Sequence, residues 1–233
     1  MVSIAPLRLR RPGSFGAVQR LRDLPSPAPA GVAAGLGLVL GGLTSYGQTV
    51  LPDALEPFAN SSSGWTLLVV LIVALLKAGP GWSALFGAIG FTGLTLGYQI
   101  VSTMRGYPTS ETFFLVAGLL VGPPVGIATA WLRRHGWRPA LAAALLGGIG
   151  IGEAVDGLTV LAGTTGPVSW TLVGLGALAL LVVVVVRRAD RWWHRLLAPV
   201  GVLLVAAAFL AAYGAPWVGT DLFQPAVATR LDG

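Results

Sequence analysis

Glu153 and Asp156 are the only carboxylates inside the apolar runs of this chain. Three residues apart, they share one face of a helix, and counted from Pro139 they lie about 21 and 26 Å along its axis. A carboxylate at membrane depth is costly, so it normally faces a cavity, a partner group or a bound ion. The chemistry that follows is binding of a proton or a cation. Two other runs bring uncharged polar groups to the same level. One carries Thr44 and Gln48, four apart, with Ser45 between them; the other carries Thr92, Thr95 and Gln99, with Tyr98 beside them. If the helices bearing them meet at a common centre, these groups and the two carboxylates line one pocket, opening outward beneath a loop that carries Asn60 to Ser63. The expected ligand- or proton-binding set is therefore Glu153, Asp156, Gln48, Gln99, Thr44, Thr95 and Asn60. A structural role competes with it. Thr and Ser often only hydrogen-bond between helices, Glu153 could tie its helix to a neighbour, Asp156 could reach the outer interface, and the Asn60–Ser63 patch could cap a helix.

Gly122-Pro123-Pro124 sits near the middle of another apolar run. Two consecutive prolines remove two amide donors, which predicts a kinked or discontinuous helix with Pro123 and Pro124 as a hinge. Broken helices at midplane recur at transporter binding sites; a passive kink is the plainer alternative. Catalytic readings find little purchase. There is no cysteine, which removes thiol nucleophiles and thiolate metal sites. Both histidines, His135 and His194, lie beside arginines outside the apolar runs, and no HExxH motif occurs. Gly150-Ile151-Gly152-Glu153 is similar to the GxGD motif of intramembrane aspartyl proteases, but Glu replaces Asp and no second Asp lies in another run. We therefore expect no enzyme, no cofactor and no metal.

The elements that must position these groups are membrane spans. With 55% apolar and 10% charged residues, the chain is far from a soluble domain, where about a quarter of residues are charged. Seven apolar stretches can be marked, roughly 31–51, 61–78, 82–103, 112–132, 139–163, 167–186 and 196–214. With the N-terminus inside, 13 of the 15 Lys and Arg residues fall on the inner side, and only Arg105 and Arg230 fall outside. That asymmetry is what the positive-inside rule demands, so the net charge of +6 is read as facing anionic lipid and not nucleic acid. All eight tryptophans fall at proposed boundaries, as an interfacial belt would place them. The second stretch is the shortest and needs a cap from Asn60 or Ser61; Thr109 or Ser110 would cap the fourth. The fold class is all-α, a polytopic transmembrane bundle in the inner (plasma) membrane with N-terminus in and C-terminus out. Residues 1–30 form a disordered basic tail, 31–214 the membrane domain and 215–233 a short outer tail. Glycine-rich patches at Gly41-Gly42, Gly87-Gly90 and Gly147-Gly150 sit at similar depth in the first, third and fifth stretches, which points to three repeated hairpins plus one helix.

Several of these segments carry a resemblance. Gly42-Leu43-Thr44-Ser45 with Gln48 and Leu51-Pro52, then Ala59-Asn60-Ser61 with Trp65, then Gly122-Pro123, resemble a group of small, functionally uncharacterised actinobacterial integral membrane proteins. The likeness covers about the first 135 residues and implies a membrane bundle without an established activity. A looser likeness is to the substrate-binding subunits of energy-coupling-factor vitamin importers, from which the seventh helix and the outer C-terminus depart. Two functions from different classes follow as expectations. One is a small-solute or ion transport component, with Glu153 and Asp156 as proton or cation binders and Gln48 and Gln99 orienting the ligand. The other is a non-catalytic membrane subunit that binds a protein partner or another copy of itself through its basic tail and small-residue helix faces.

Overall fold

In lipid every backbone amide must find its acceptor within the chain, which leaves a run of apolar residues little choice but helix. The computed structural model describes residues 27–107 and 112–213, and among them no strand occurs. The helices are α1 (Pro27–Val50), the single turn α2 (Glu56–Ala59), α3 (Ser62–Leu76), α4 (Pro80–Met104), α5 (Thr112–Trp131), α6 (Trp137–Asp156), the short α7 (Ala162–Thr165), α8 (Val168–Arg187) and α9 (Trp192–Tyr213). A five-residue π turn, Gly157–Leu161, joins α6 to α7. Prolines mark several starts, because a first turn has no use for the missing amide: Pro27 and Pro29 open α1 and Pro80 opens α4. Helix α1 thus begins within the segment assigned to the tail, at Pro27. The basic residues before it, the expected cap at Thr109 or Ser110, Trp217 and Arg230 lie outside the described residues.

Six helices are long and apolar enough to cross a membrane. The stretch expected as a second span is different: α3 has 15 residues, about 22 Å at 1.5 Å per residue, against a hydrocarbon core near 30 Å. It is also the centre of the core. Trp65, Val69, Ile72 and Val73 of α3 cluster with Ala33 of α1, Phe86, Phe91 and Leu94 of α4 and Val125 of α5. A short helix is tolerable here because its neighbours, not lipid, surround much of it.

Glycine decides which helices touch. Gly37 lies against Gly90 and Gly93, Gly41 against the Leu94 carbonyl and Gly42 against Val101. Both numbers rise together, so α1 and α4 run parallel at backbone contact. Helix α5 runs back along α4, with Gly122 against Ala88 and Gly126 against the Ser83 carbonyl. In the second group α6 and α9 are parallel, through Gly148 on Val205 and Gly152 on Phe209, while α8 is antiparallel to α6, with Gly150 on Ala177. Helix α6 meets the first group chiefly through α5 and α3, and has no extended contact with α1 or α4. The chain thus forms α1, α4 and α5 around α3, beside a second group of α6, α8 and α9, with α4–α5 and α6–α8 as antiparallel neighbours.

Two further expectations change. Helix α5 passes through Pro123 and Pro124 without interruption, so the span is continuous and the discontinuous alternative falls. Trp65 and Trp170 are not belt residues: they are 8% and 4% exposed, with Trp65 against Tyr98 and Phe114 and Trp170 against Gly157. Trp137, Trp192 and Trp193 are exposed, as a belt requires.

The α1–α4 contact gives a direct prediction. A methyl group at Gly41 would overlap the Leu94 carbonyl, whereas Gly35 on the same helix has open space around it. Gly41→Ala should lower the unfolding free energy of the purified protein in detergent by about 1–3 kcal/mol through overpacking, and Gly35→Ala should leave the midpoint within error of the parent.

Candidate functional site

The site is built on the start of α3. A helix leaves its first amides without intrahelical acceptors, and those of α3 are taken up from two directions. Ser61, in extended conformation, accepts the Gly64 N–H through Oγ at 2.8 Å. The amides of Ser62 and Ser63 reach out of the helix to Glu153, donating to Oε1 at 2.5 Å and to Oε2 at 2.7 Å. Both carboxylate oxygens on α6 are therefore engaged by the positive end of another helix, an arrangement that the macrodipole favours. Such charge-assisted bonds are short and are each worth about 1.5–3 kcal/mol. The surroundings exclude water: Glu153 is 7% exposed. Ser62 Oγ also lies 2.6 Å from Tyr213 Oη, which brings the last turn of α9 to the same point. Gly64 has to be glycine, because a side chain there would collide with the Phe58 carbonyl.

The loop from α1 to α3 is seated above this junction. Ser169, at the start of α8, donates through Oγ to the Ala54 carbonyl at 2.5 Å. Trp65 Nε1 donates to the Ala59 carbonyl at 3.1 Å. The 51–61 segment is thereby fixed to both helix groups.

The expected binding set is not gathered in one pocket. Glu153 is bound to α3. Asp156, one turn further on, is half-buried, and its carboxylate takes part in no hydrogen bond or ion pair among the described residues. Gln48 Oε1 accepts from Tyr98 Oη at 3.1 Å, while Gln48 Nε2 is a buried donor without a partner among the described residues. Gln99 is half-buried on α4, next to Tyr98 in sequence. Thr44 and Thr95 turn back to their own helices, onto the carbonyls of Gly41 and Phe91. Asn60 is exposed, and the cap is Ser61. Helices α1 and α4, which carry Gln48 and Gln99, pack together, whereas α6 meets them by way of α5 and the first turn of α3. That turn touches Glu153 on one side and, through Trp65 and Tyr98 with ring centroids 5.6 Å apart, leads to Gln48 on the other. Two cavities lie elsewhere, one lined mostly by apolar side chains of α1, α4 and α5, the other at the opposite end of the bundle. Among the described residues no three His, Asp or Glu groups stand close enough to hold a metal ion.

Sequence reasoning passed over Tyr213, the Ser62 and Ser63 amides and Arg105. Arg105 follows the C-terminus of α4 and donates through Nη1 to the Ser45 carbonyl and hydroxyl and through Nη2 to Thr49 Oγ1 at 2.8 Å. It also lies 4.8 Å from the Tyr46 ring centroid, and Ser45 pairs with Ser102 at 2.9 Å. A cation closing the end of α1 suits the negative end of that helix. Its isolation from the other cations was the available signal.

Replacing Glu153 by Gln leaves one acceptor oxygen for two amides. Glu153→Gln should cost about 1–3 kcal/mol of stability, measured by reversible unfolding in detergent, and Asp156→Asn should fall within about 0.5 kcal/mol of the parent.

No curated protein and no solved structure matches this chain. A family model described as a family of unknown function (DUF6518) matches residues 21–216, a range that contains every described helix and every residue of the junction between α3 and α6. The chain belongs to that family.

Proposed function

We propose that the protein is a transport component for a small solute or ion, crossing the plasma membrane seven times with N-terminus in and C-terminus out. In this reading the 51–63 segment closes the outward end and Glu153 holds it closed. The observation that carries the proposal is the choice of group at the junction. Ser61 already caps α3 with a neutral hydroxyl, yet the remaining amides are held by a titratable carboxylate from the other helix group. Protonation would turn one acceptor oxygen into a donor and remove the charge that the helix end attracts. The start of α3 would then be free to leave α6, opening a way to Asp156 on one side and to the unpartnered Gln48 amide on the other. Glu153 is a latch in this account; Asp156, Gln48, Gln99, Thr44 and Thr95 are the groups that a passing ligand would meet, with Pro123 and Pro124 as a point of bending in α5.

The charge pattern supports the orientation. Of the nine described Lys and Arg residues, eight collect at one end of the bundle and Arg105 alone stands at the other. Acidic Asp53, Glu56, Glu153 and Asp156 share the Arg105 end.

The second reading, a non-catalytic membrane subunit that holds a partner, is favoured by the dispersal of the expected binding groups and by the structural work that Glu153 performs. One experiment separates the two. The sequence holds no cysteine, so Ala59→Cys, a small change at a buried position of α2, supplies a single thiol in proteoliposomes. A membrane-impermeant maleimide at pH 7.5 should label it slowly, and adding Glu153→Gln should speed labelling at least about tenfold, the factor that a loss near 1.4 kcal/mol gives. Equal rates in the two backgrounds would remove the latch and leave the subunit reading.

A further inference from the structure

We propose that the opposite end of the bundle holds a binding site for a phosphate group, built by Lys77, Arg133, Arg134 and the amide end of α4. The inference is independent of the latch. A cavity of about 280 Å³ opens between α3, α4 and α5 there, lined by Lys77, Ala78, Gly79, Pro80, Ala130, Arg133 and Arg134. Three of its seven lining residues are cations, and among the described residues no carboxylate pairs with them: the ion pair found there is His135 with Asp190, at 3.9 Å.

The three cations are not equivalent. Arg133 Nη2 donates to the Ala78 carbonyl at 2.7 Å, which fixes its guanidinium at the rim and leaves its other donors available. Lys77 and Arg134 are exposed, and their side chains form no hydrogen bond among the described residues. Lys77 has a left-handed backbone, φ 50°, the only positive φ outside glycine among the described residues. That conformation ends α3 abruptly and turns the chain toward Pro80 within three residues.

The fourth contributor is α4 itself. Its N-cap is Gly79, no side chain caps it and its first turn holds no acidic residue. Pro80 has no amide hydrogen, and those of Gly81 and Trp82 have no intrahelical acceptor. A 25-residue helix therefore points an unshielded positive end at a cavity already lined by three cations, a combination suited to a phosphate. Depth selects the source. Trp82, Trp131 and Trp137 flank the cavity in sequence, and Trp131 and Trp137 pack edge to face with centroids 5.6 Å apart. Indole rings favour the headgroup level, so the cavity lies where the phosphate of an anionic lipid headgroup would sit, on the side that the charge pattern assigns to the cytoplasm. A free phosphate has the same chemistry and would reach the same groups from the water.

The test uses full-length protein in neutral detergent, titrated with phosphatidylglycerol, with phosphatidylcholine and, separately, with inorganic phosphate, binding being read by native mass spectrometry and by thermal midpoint. Because Arg133 also holds the α3 end, the diagnostic variant is Lys77→Gln with Arg134→Gln, neither of which breaks a bond; Arg187→Gln with Arg188→Gln removes equal charge elsewhere at the same end. Phosphatidylglycerol should raise the midpoint more than phosphatidylcholine, and the Lys77/Arg134 double variant should bind it about thirtyfold more weakly, with the Arg187/Arg188 variant close to the parent. A phosphate response lost in the same variant, without a lipid response, would keep the site and assign it to a soluble phosphate. No response of the parent to either ligand, or equal losses in both double variants, would overturn the proposal.

Discussion

The architecture depends on one buried contact: a carboxylate from one helix group bound to the amide end of a short helix in the other. Helix α3 begins at the seam between the two groups, where Ser62 and Ser63 are half-buried and their amides find acceptors in Glu153 and not in their own helix. An unpaired buried amide is costly, and so is an unpaired carboxylate. Glu153 and the Ser62–Ser63 amides each satisfy the requirement that the other creates, which makes the junction specific as well as stable. Removing one partner does not return the system to neutral, because the other is left buried without its complement. The 51–61 segment, the last turn of α9 and the start of α8 all meet around this point.

Around it, helix positions are fixed by close approach and not by large side chains. Lipid tails are as apolar as leucine, so burial of apolar surface gives helices little reason to associate, and packing contact and hydrogen bonds must do so. The glycines at 37, 41 and 93 on α1 and α4 and at 122 and 126 on α5 allow backbones to touch where a methyl group would collide, and those at 148 and 152 on α6 make room for the Val205 and Phe209 side chains. Two polar clusters close the ends. Arg105 ties α1 to α4 at one end. At the other, the Gly136 amide donates to the Arg188 carbonyl, joining the α5–α6 loop to the end of α8.

The six long apolar helices were legible because their signal is local: apolar length and proline at helix starts each act over a few residues. Ser61 as a cap could be read for the same reason. What could not be read was which helix lies beside which. Glu153 and Asp156 look alike in sequence, three apart on one face, yet one is bound to α3 and the other meets no donor among the described residues; the difference comes from a helix about 90 residues away in the chain. Gln48 and Gln99 were assigned to a shared centre on the assumption that parallel spans converge, and the glycine contacts instead direct α6 toward α9. Trp65 and Trp170 were misplaced by the opposite error, since an indole near a helix end serves as readily in a core as in a headgroup belt.

Amide hydrogen exchange at Ser62 and Ser63, followed in the full-length protein in micelles, addresses the central contact most directly, because exchange reports whether these two amides are held. In the parent both should be protected to nearly the extent of the α3 interior around Val69. In Glu153→Gln their protection should fall at least about tenfold while that of Val69 is retained. Fast exchange at Ser62 and Ser63 in the parent, or protection indifferent to residue 153, would contradict the account.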